Sequence, residues 1–124
     1  MSQITVENIK RSTETASRST RGVAAAWVNF DGRDTFGIRD SGNVTSITDR
    51  GTGLYTLNYT SSMSDSNHSS VGSCADTYSD PTARNRMFTP SVLSSSSSNA
   101  NTYTTSSTAI DVNLICASIH GDLA

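Results

Sequence analysis

Apolar and polar residues alternate along much of the chain between residues 23 and 119. The alternation is clearest in residues 53–60, where Tyr55, Leu57 and Tyr59 are separated by polar residues. Successive side chains of a β-strand point to opposite faces, so this pattern predicts a strand with one buried face. Glycine, aspartate and asparagine, which favour turns, separate such runs. The pattern therefore predicts an all-β fold: an antiparallel, jelly-roll-like β-sandwich of about seven or eight short strands.

The first and last apolar runs have apolar side chains on both faces. Residues 23–30 put Trp27 on one face and Val28 on the other. The final run splits into Ile110, Val112, Leu114 and Cys116 on one face and Ile115, Ala117 and Ile119 on the other. A two-layer sandwich covers only one face of each strand, and we expect the face of Val112 to fill the core. Trp27, Ile115 and Ile119 would then meet water in a monomer, so we expect them to form the interface of a homo-oligomer.

Three local patterns refine the strands. Val44 and Ile47 are both apolar, but in a regular strand their side chains would point to opposite faces. A bulge or bend between them is therefore predicted, since it would let both face the core. Pro90 lacks the N–H that ladder pairing needs, so we expect it to close a strand that begins near residue 84. The five serines at 94–98 are typical of a flexible exposed loop. A variable contact loop is the alternative interpretation of that serine run.

The composition limits the size of the core and the classes of partner. Only 34% of the residues are hydrophobic and 6% are aromatic, so a single domain of this length has a lean core that favours oligomerisation. The net charge of −2 gives no reason to expect a nucleic-acid partner. No apolar run approaches membrane-spanning length, and no signal peptide is visible, which predicts cytoplasmic synthesis without membrane insertion. In that compartment Cys74 and Cys116 are expected to be buried free thiols.

Residues 1–21 differ in composition from the rest of the chain, and the predicted sandwich occupies residues 22–124. The segment is mostly polar, but Ile4, Val6 and Ile9 are spaced along it. A polar tail without a core is typically disordered. The three β-branched residues instead favour an arm that becomes ordered on a partner, with Ile4, Val6 and Ile9 as its anchors.

No arrangement of reactive residues predicts catalysis, a cofactor or a metal. His68 lies in a polar turn, which predicts a solvated side chain, and His120 closes the last strand. No serine lies in a Gly-x-Ser-x-Gly sequence. Asp31, Asp34 and Asp40 lack the spacing of an EF-hand loop, and loop aspartates usually cap turns. We therefore expect that the protein is not an enzyme.

Several segments of the chain together resemble a small module common in virion proteins of marine bacteriophages, where it typically ends tail-fibre-like proteins. The matching segments are Ala26–Gly32 (AWVNFDG), Ile38–Ser41 (IRDS), Asn43–Asp49 (NVTSITD), Gly51–Gly53 (GTG), Tyr55–Tyr59 (YTLNY) and a closing apolar strand at Asp111–Ile119. The resemblance covers residues 22–121 and is densest up to Thr60. It brings no catalytic residues. It implies that Arg39 and Asp40 are structural, as a charged pair or as turn caps.

The resemblance implies a bacteriophage virion structural protein, made in the host cytoplasm. The first expectation is a knob-like tail-fibre module that contacts the host surface, with a surface glycan as its partner. A capsid decoration or head-fibre protein is the alternative, and a glycan-degrading tailspike is a third class that lacks a paired-carboxylate signature. Fibre-tip modules commonly sit on three-fold structures, which implies a homotrimer. The arm at residues 1–21 would join the protein to other virion proteins.

Overall fold

Two four-stranded antiparallel sheets form the body of the protein, whose structure is a computed structural model. It describes residues 2–10, 12–77 and 85–124. The strands of the described residues are β1 (Asn8–Ile9), β2 (Arg18–Ser19), β3 (Ala26–Asp31), β4 (Gly37–Gly42), β5 (Val44–Gly51), β6 (Leu54–Tyr59), β7 (Ser69–Ala75), β8 (Arg86–Ser94), β9 (Ser97–Thr104) and β10 (Leu114–His120). A 3-10 helix, Thr20–Gly22, precedes the sheets. The first sheet has the order β4-β3-β10-β7 and the second β5-β6-β9-β8.

The core lies between the two sheets and confirms the predicted β-sandwich. Tyr55, Leu57 and Tyr59 of β6 are buried, as their alternation predicts. From the facing sheet, Phe30 of β3 meets Tyr55 edge-on, with 5.2 Å between ring centroids. Apolar side chains from both sheets and from the adjoining loops complete this layer: Ala26, Val28, Val44, Met63, Ala100, Val112, Ile115, Ala117 and Ile119. The two inner faces therefore share one hydrophobic core.

The last strand faces the opposite way to the prediction. Ile115 and Ile119 are 0% exposed in a single copy of the chain. They point from β10, which lies between β3 and β7, into the core. Val112 is also buried, but it precedes the strand, and the chain bends at Asn113 before β10 begins. The alternation does not continue through that bend, so the argument that put Ile115 and Ile119 at a subunit interface is wrong. Trp27 does lie on the outer face of its sheet.

The bulge predicted between Val44 and Ile47 is present, whereas the strand end predicted at Pro90 is not. The register of β5 against β6 shifts between Val44 and Ser46, which confirms the bulge and lets both Val44 and Ile47 reach the core. Pro90 does not close a strand, because β8 continues through it to Ser94. Since β8 is an edge strand of the second sheet, a residue without an N–H is tolerated there.

The serine run turns into a buried strand. Residues 95 and 96 form the turn between β8 and β9, and Ser97 begins β9. Ser97 and Ser98 are both buried, so the prediction of a flexible exposed loop over all five serines is wrong. A small hydroxyl side chain at 98 fits this strand because the bulky ring of Tyr59 occupies the adjacent space in the core, where the two hydroxyls are in contact.

The N-terminal segment forms a small hairpin-like pair outside the two sheets. β1 pairs with β2, and the Thr20 amide donates a 2.9 Å hydrogen bond to the Glu7 carbonyl. Ile4 is 90% exposed, and Val6 and Ile9 are also exposed. Among the described residues no helix is long and apolar enough to cross a membrane.

Candidate functional site on the outer face of the first sheet

A shallow groove runs along the solvent side of the first sheet. Trp27 of β3 and Val71 of β7 flank Ser118 of β10, because both are in register with that serine. Trp27 is 41% exposed and Val71 is 53% exposed, and they form the walls. The next row across the sheet consists of Asn29, Cys116 and Ser73. We call this depression, of about 370 Å³, the Trp27 groove.

The indole of Trp27 rests on a glycine of the neighbouring strand. Gly42 of β4 is the register partner of Trp27. A Cβ atom added at Gly42 would collide with indole Nε1 and would lie only 2.8 Å from Cδ1. Any larger residue at position 42 would therefore push the ring away from the sheet. The ring is thus supported by rigid backbone on one side and exposed to solvent on another.

Polar groups border the groove beside the indole. Asn29 and Asp40 are register partners on β3 and β4. The Asn29 side-chain oxygen accepts a long 3.4 Å hydrogen bond from Arg39, and Asp40 Oδ1 accepts one of 2.9 Å from the Ser41 amide. Within the described parts of the chain, Asn29 Nδ2 and Asp40 Oδ2 have no partner. A hydrogen-bond donor and an acceptor are therefore available next to the ring.

Ser118 contributes a third polar group at the floor of the groove. His120 Nδ1 lies 3.2 Å from the Gly22 carbonyl, to which only a protonated nitrogen can donate. In the neutral ring Nε2 is then an acceptor, and it lies 3.0 Å from the Ser118 hydroxyl. With the ring proton on Nδ1, Ser118 donates to His120 Nε2, and its oxygen lone pairs remain available to a ligand.

A charged network fixes the end of the groove near Asn29. Arg39 Nη2 lies 3.1 Å from Asp31 Oδ2 and donates to the Asn113 side-chain oxygen at 3.1 Å. Asp31 also accepts hydrogen bonds from three backbone amides, of Arg33, Asp34 and Thr35, at 2.9 to 3.2 Å. Burial raises the pKa of Asp31, but these three amides and the Arg39 charge outweigh it and lower the pKa below its usual value.

The Ile38–Ser41 segment makes contacts of the kind predicted for it. Arg39 forms a charged pair with Asp31, and Asp40 accepts a hydrogen bond from the Ser41 amide within β4. The network joins β3, β4 and the bend before β10. The Ile-Arg-Asp-Ser segment indicated in the sequence that Arg39 makes structural contacts, but its partners Asp31 and Asn113 were not predicted.

The residues predicted as sites do not converge on one surface. Only Trp27 lines the groove; Ile115 and Ile119 are in the core. The anchors Ile4, Val6 and Ile9 belong to the exposed N-terminal segment and do not line the groove. The polar groups around Trp27 were missed, because register between distant strands cannot be obtained from alternation alone.

The two cysteines are free and lie on opposite faces of the first sheet. Cys74 is the register partner of buried Ile115 and packs against the core. Cys116 is the register partner of Ser73 and lines the groove. Burial raises the pKa of both thiols, and a nearby arginine partly offsets that rise. Both groups therefore stay protonated at neutral pH, and the geometry does not permit a disulfide between them.

His68 is buried rather than solvated. Its Nε2 lies 3.2 Å from the Tyr59 hydroxyl and 3.3 Å from the Ser98 hydroxyl, and its Nδ1 lies 3.2 Å from the Asp65 carbonyl. The prediction of a solvated histidine is wrong because the turn at 65–68 folds back over the core. A serine and a histidine are thus in contact, but Ser98 is fully buried, so a substrate has no access to its hydroxyl.

In the described part of the chain, three acidic side chains close to this end of the sheet are paired with arginines, whereas Asp40 is not. Asp31 pairs with Arg39, and Asp34 and Asp76 pair with Arg33. Among residues 2–10, 12–77 and 85–124, no three His, Cys, Asp or Glu side chains converge as metal ligands would.

No protein-family model matches the chain, and neither a curated protein nor a solved structure is significantly similar to it.

Proposed function

We propose that the protein is a bacteriophage virion structural protein, a knob-like surface module that contacts the host cell with the outer face of its first sheet. The proposal starts from the sequence resemblance. The segments that carry it form β3, β4 and β10 of the first sheet and β5 and β6 of the second. The resemblance thus covers five of the eight sandwich strands rather than an isolated motif.

The observation that carries the proposal is the orientation of Trp27. In the matching segments large apolar side chains such as Val28, Phe30 and Leu57 are buried. Trp27, by contrast, is 41% exposed and is held on Gly42. An exposed aromatic residue on a rigid sheet contributes nothing to the core, but it is a typical anchor for contacts with another molecule.

The N-terminal segment supports attachment to the particle. Its three apolar side chains are exposed in the single chain, although burying each would gain roughly 1.5–3 kcal/mol. We further propose that this segment, residues 1–21, joins the protein to other virion proteins and holds three copies together. Capsid decoration is the second candidate function, because the same segment could equally bind a capsid lattice.

Labelling of intact particles tests the proposal. Antibodies against the protein, coupled to gold, should bind purified particles of the virus that encodes it, at the tips of the tail fibres. Binding all over the capsid would favour the decoration protein instead. Particles that lack the protein by both labelling and mass spectrometry would contradict any role in the virion.

A further inference from the structure

We infer that the Trp27 groove binds a neutral pyranose sugar, with the Trp27 indole as the platform on which the sugar ring stacks. This inference rests on the proposed function, since it identifies the chemistry that the exposed face would contact on a cell. It assigns the ligand to a groove on β3, β10 and β7, away from the buried Ser98 and His68 side chains.

The indole meets the first requirement of sugar recognition, which is a fixed aromatic surface. One face of a pyranose ring presents mainly C–H groups, and these pack against the electron-rich face of an aromatic ring. Flexible side chains lose entropy when they bind, whereas Trp27 is already supported by Gly42. The groove beside it, of about 370 Å³, is near the lower end of the range for small-molecule sites, roughly 300–1,000 Å³.

Three side chains meet the second requirement, which is hydrogen bonding to the sugar hydroxyls. A hydroxyl both donates and accepts, so it suits a site with both kinds of group. The Asn29 amide offers a donor, Asp40 Oδ2 an acceptor, and Ser118 oxygen lone pairs. These groups occupy adjacent rows of the sheet on the same side as the indole.

The charge of the groove favours a neutral sugar over an acidic one. None of the residues that line it is ionised at neutral pH, because Cys116 is held protonated. The nearest cation, Arg39, is already paired with Asp31. The nearest carboxylate outside that pair is Asp40, which would repel a sugar acid.

The size of the apolar area argues against a second copy of the chain as the occupant. A stable interface buries about 800 Å² on each partner and has an apolar centre. Among the described residues, Trp27 and Val71 are the large exposed apolar side chains on the four strands of this sheet. Two side chains separated by Ser118 are too few for such a centre, but they suit the two sides of a single sugar ring.

The single tryptophan of the chain provides a direct test, because the protein gives one indole N–H resonance. The ¹⁵N-labelled full chain is titrated separately with the methyl pyranosides of glucose, galactose, mannose and N-acetylglucosamine. At least one should shift the indole resonance in a saturable way at roughly millimolar concentrations. N-acetylneuraminic acid, which is anionic, should not shift it.

Variants distinguish the groove from the rest of the surface. Trp27→Ala should abolish binding measured by calorimetry, and Trp27→Phe should retain a weakened affinity. Asn29→Ala should raise the Kd roughly fivefold to tenfold. Met87→Ala is the control, since Met87 is 44% exposed on the second sheet, and it should leave the Kd unchanged.

Three results would overturn the inference. They are the absence of a saturable shift with every neutral sugar, an unchanged Kd in Trp27→Ala, and a self-associated wild type that Trp27→Ala dissociates. The last result would identify the groove as an interface between copies. Particle labelling is independent of these measurements. Labelled particles without sugar binding would refute the ligand alone, whereas sugar binding by a protein absent from particles would refute the virion role alone.

Discussion

At the scale of single residues, Arg39 joins the neighbouring strands β3 and β4 to Asn113, which lies 74 residues further along the chain. It bonds to Asp31 on β3, to Asn29 on the same strand, and to Asn113 in the bend before β10. Removal of one partner from a charged hydrogen bond leaves the other desolvated and unpaired. Position 39 is therefore structural even though its side chain lies near the surface.

We expect Arg39→Ala to lower the free energy of unfolding by about 1–3 kcal/mol, because the buried Asp31 carboxylate would lose its cation. Urea unfolding followed by circular dichroism measures the change. Arg50→Ala is the matched control; Arg50 is exposed and bonds mainly to Asn101, so we expect a change within about 0.5 kcal/mol. Equal effects of the two substitutions would contradict the structural role of Arg39.

The lowered pKa of Asp31 predicts loss of stability in acid. A carboxyl group whose pKa is lower in the folded state than its usual 3.8 stabilises the fold fully above that value. The contribution is lost as the pH falls through the folded-state pKa. The free energy of unfolding should therefore decline below about pH 4, and Asp31→Asn should be less stable at neutral pH but decline less steeply. Parallel slopes for both proteins would contradict this assignment.

At the scale of elements, β6 and β10 show what alternation can and cannot predict. In β6 one regular strand extends from Leu54 to Tyr59, so Tyr55, Leu57 and Tyr59 all point to the same buried face. In β10 the apolar pattern began before the strand did. The bend at Asn113 separates Val112 from the strand, and both Val112 and Ile115 become buried. The bend is held by tertiary contacts to Asp31 and Asp34, which no local pattern encodes.

The serine run between β8 and β9 yields a paired prediction. Ser98 is fully buried against the Tyr59 and His68 side chains, whereas Ser96 is exposed in the turn. Ser98→Ala should lower the free energy of unfolding by about 1–2 kcal/mol, because two buried polar groups lose a partner. Ser96→Ala should change it by less than about 0.5 kcal/mol. Thermal unfolding of both variants checks the difference; indistinguishable values would restore the flexible-loop interpretation.

The contact between Gly42 and Trp27 predicts that a single methyl group at the glycine disturbs the groove. Gly42→Ala should displace the indole, because the new Cβ would occupy its position. Tryptophan fluorescence should shift, and sugar affinity should fall with it. Gly22→Ala is the control, since a Cβ at Gly22 meets no atom within 4 Å. An unchanged emission spectrum in Gly42→Ala would contradict the support that we assign to this glycine.

At the scale of the whole molecule, the exposed apolar side chains indicate where copies can meet. Among the described residues of the two sheets, the large exposed apolar side chains are Trp27 and Val71 on the first sheet and Met87 and Leu93 on β8 of the second. The N-terminal segment by contrast exposes Ile4, Val6 and Ile9 within a few residues of one another. The sequence predicted self-association from β10, but burial of Ile115 and Ile119 removes that reason. We therefore choose the N-terminal segment, whose three apolar side chains lie outside the sandwich, as the candidate surface for self-association.

We expect the full chain to form a homotrimer through Ile4, Val6 and Ile9. None of them belongs to the sandwich core, so changing all three to serine should leave the fold intact. Each buried side chain would contribute roughly 1.5–3 kcal/mol to association. Light scattering at micromolar concentration should give about three times the chain mass of 13.1 kDa for the wild type and one chain mass for the triple variant. Met87→Ser with Leu93→Ser, two exposed apolar positions on β8, should leave the trimer unchanged. A wild type that stays monomeric as concentration rises would refute the trimer, and a trimer that survives the triple substitution would move the interface away from the N-terminal segment.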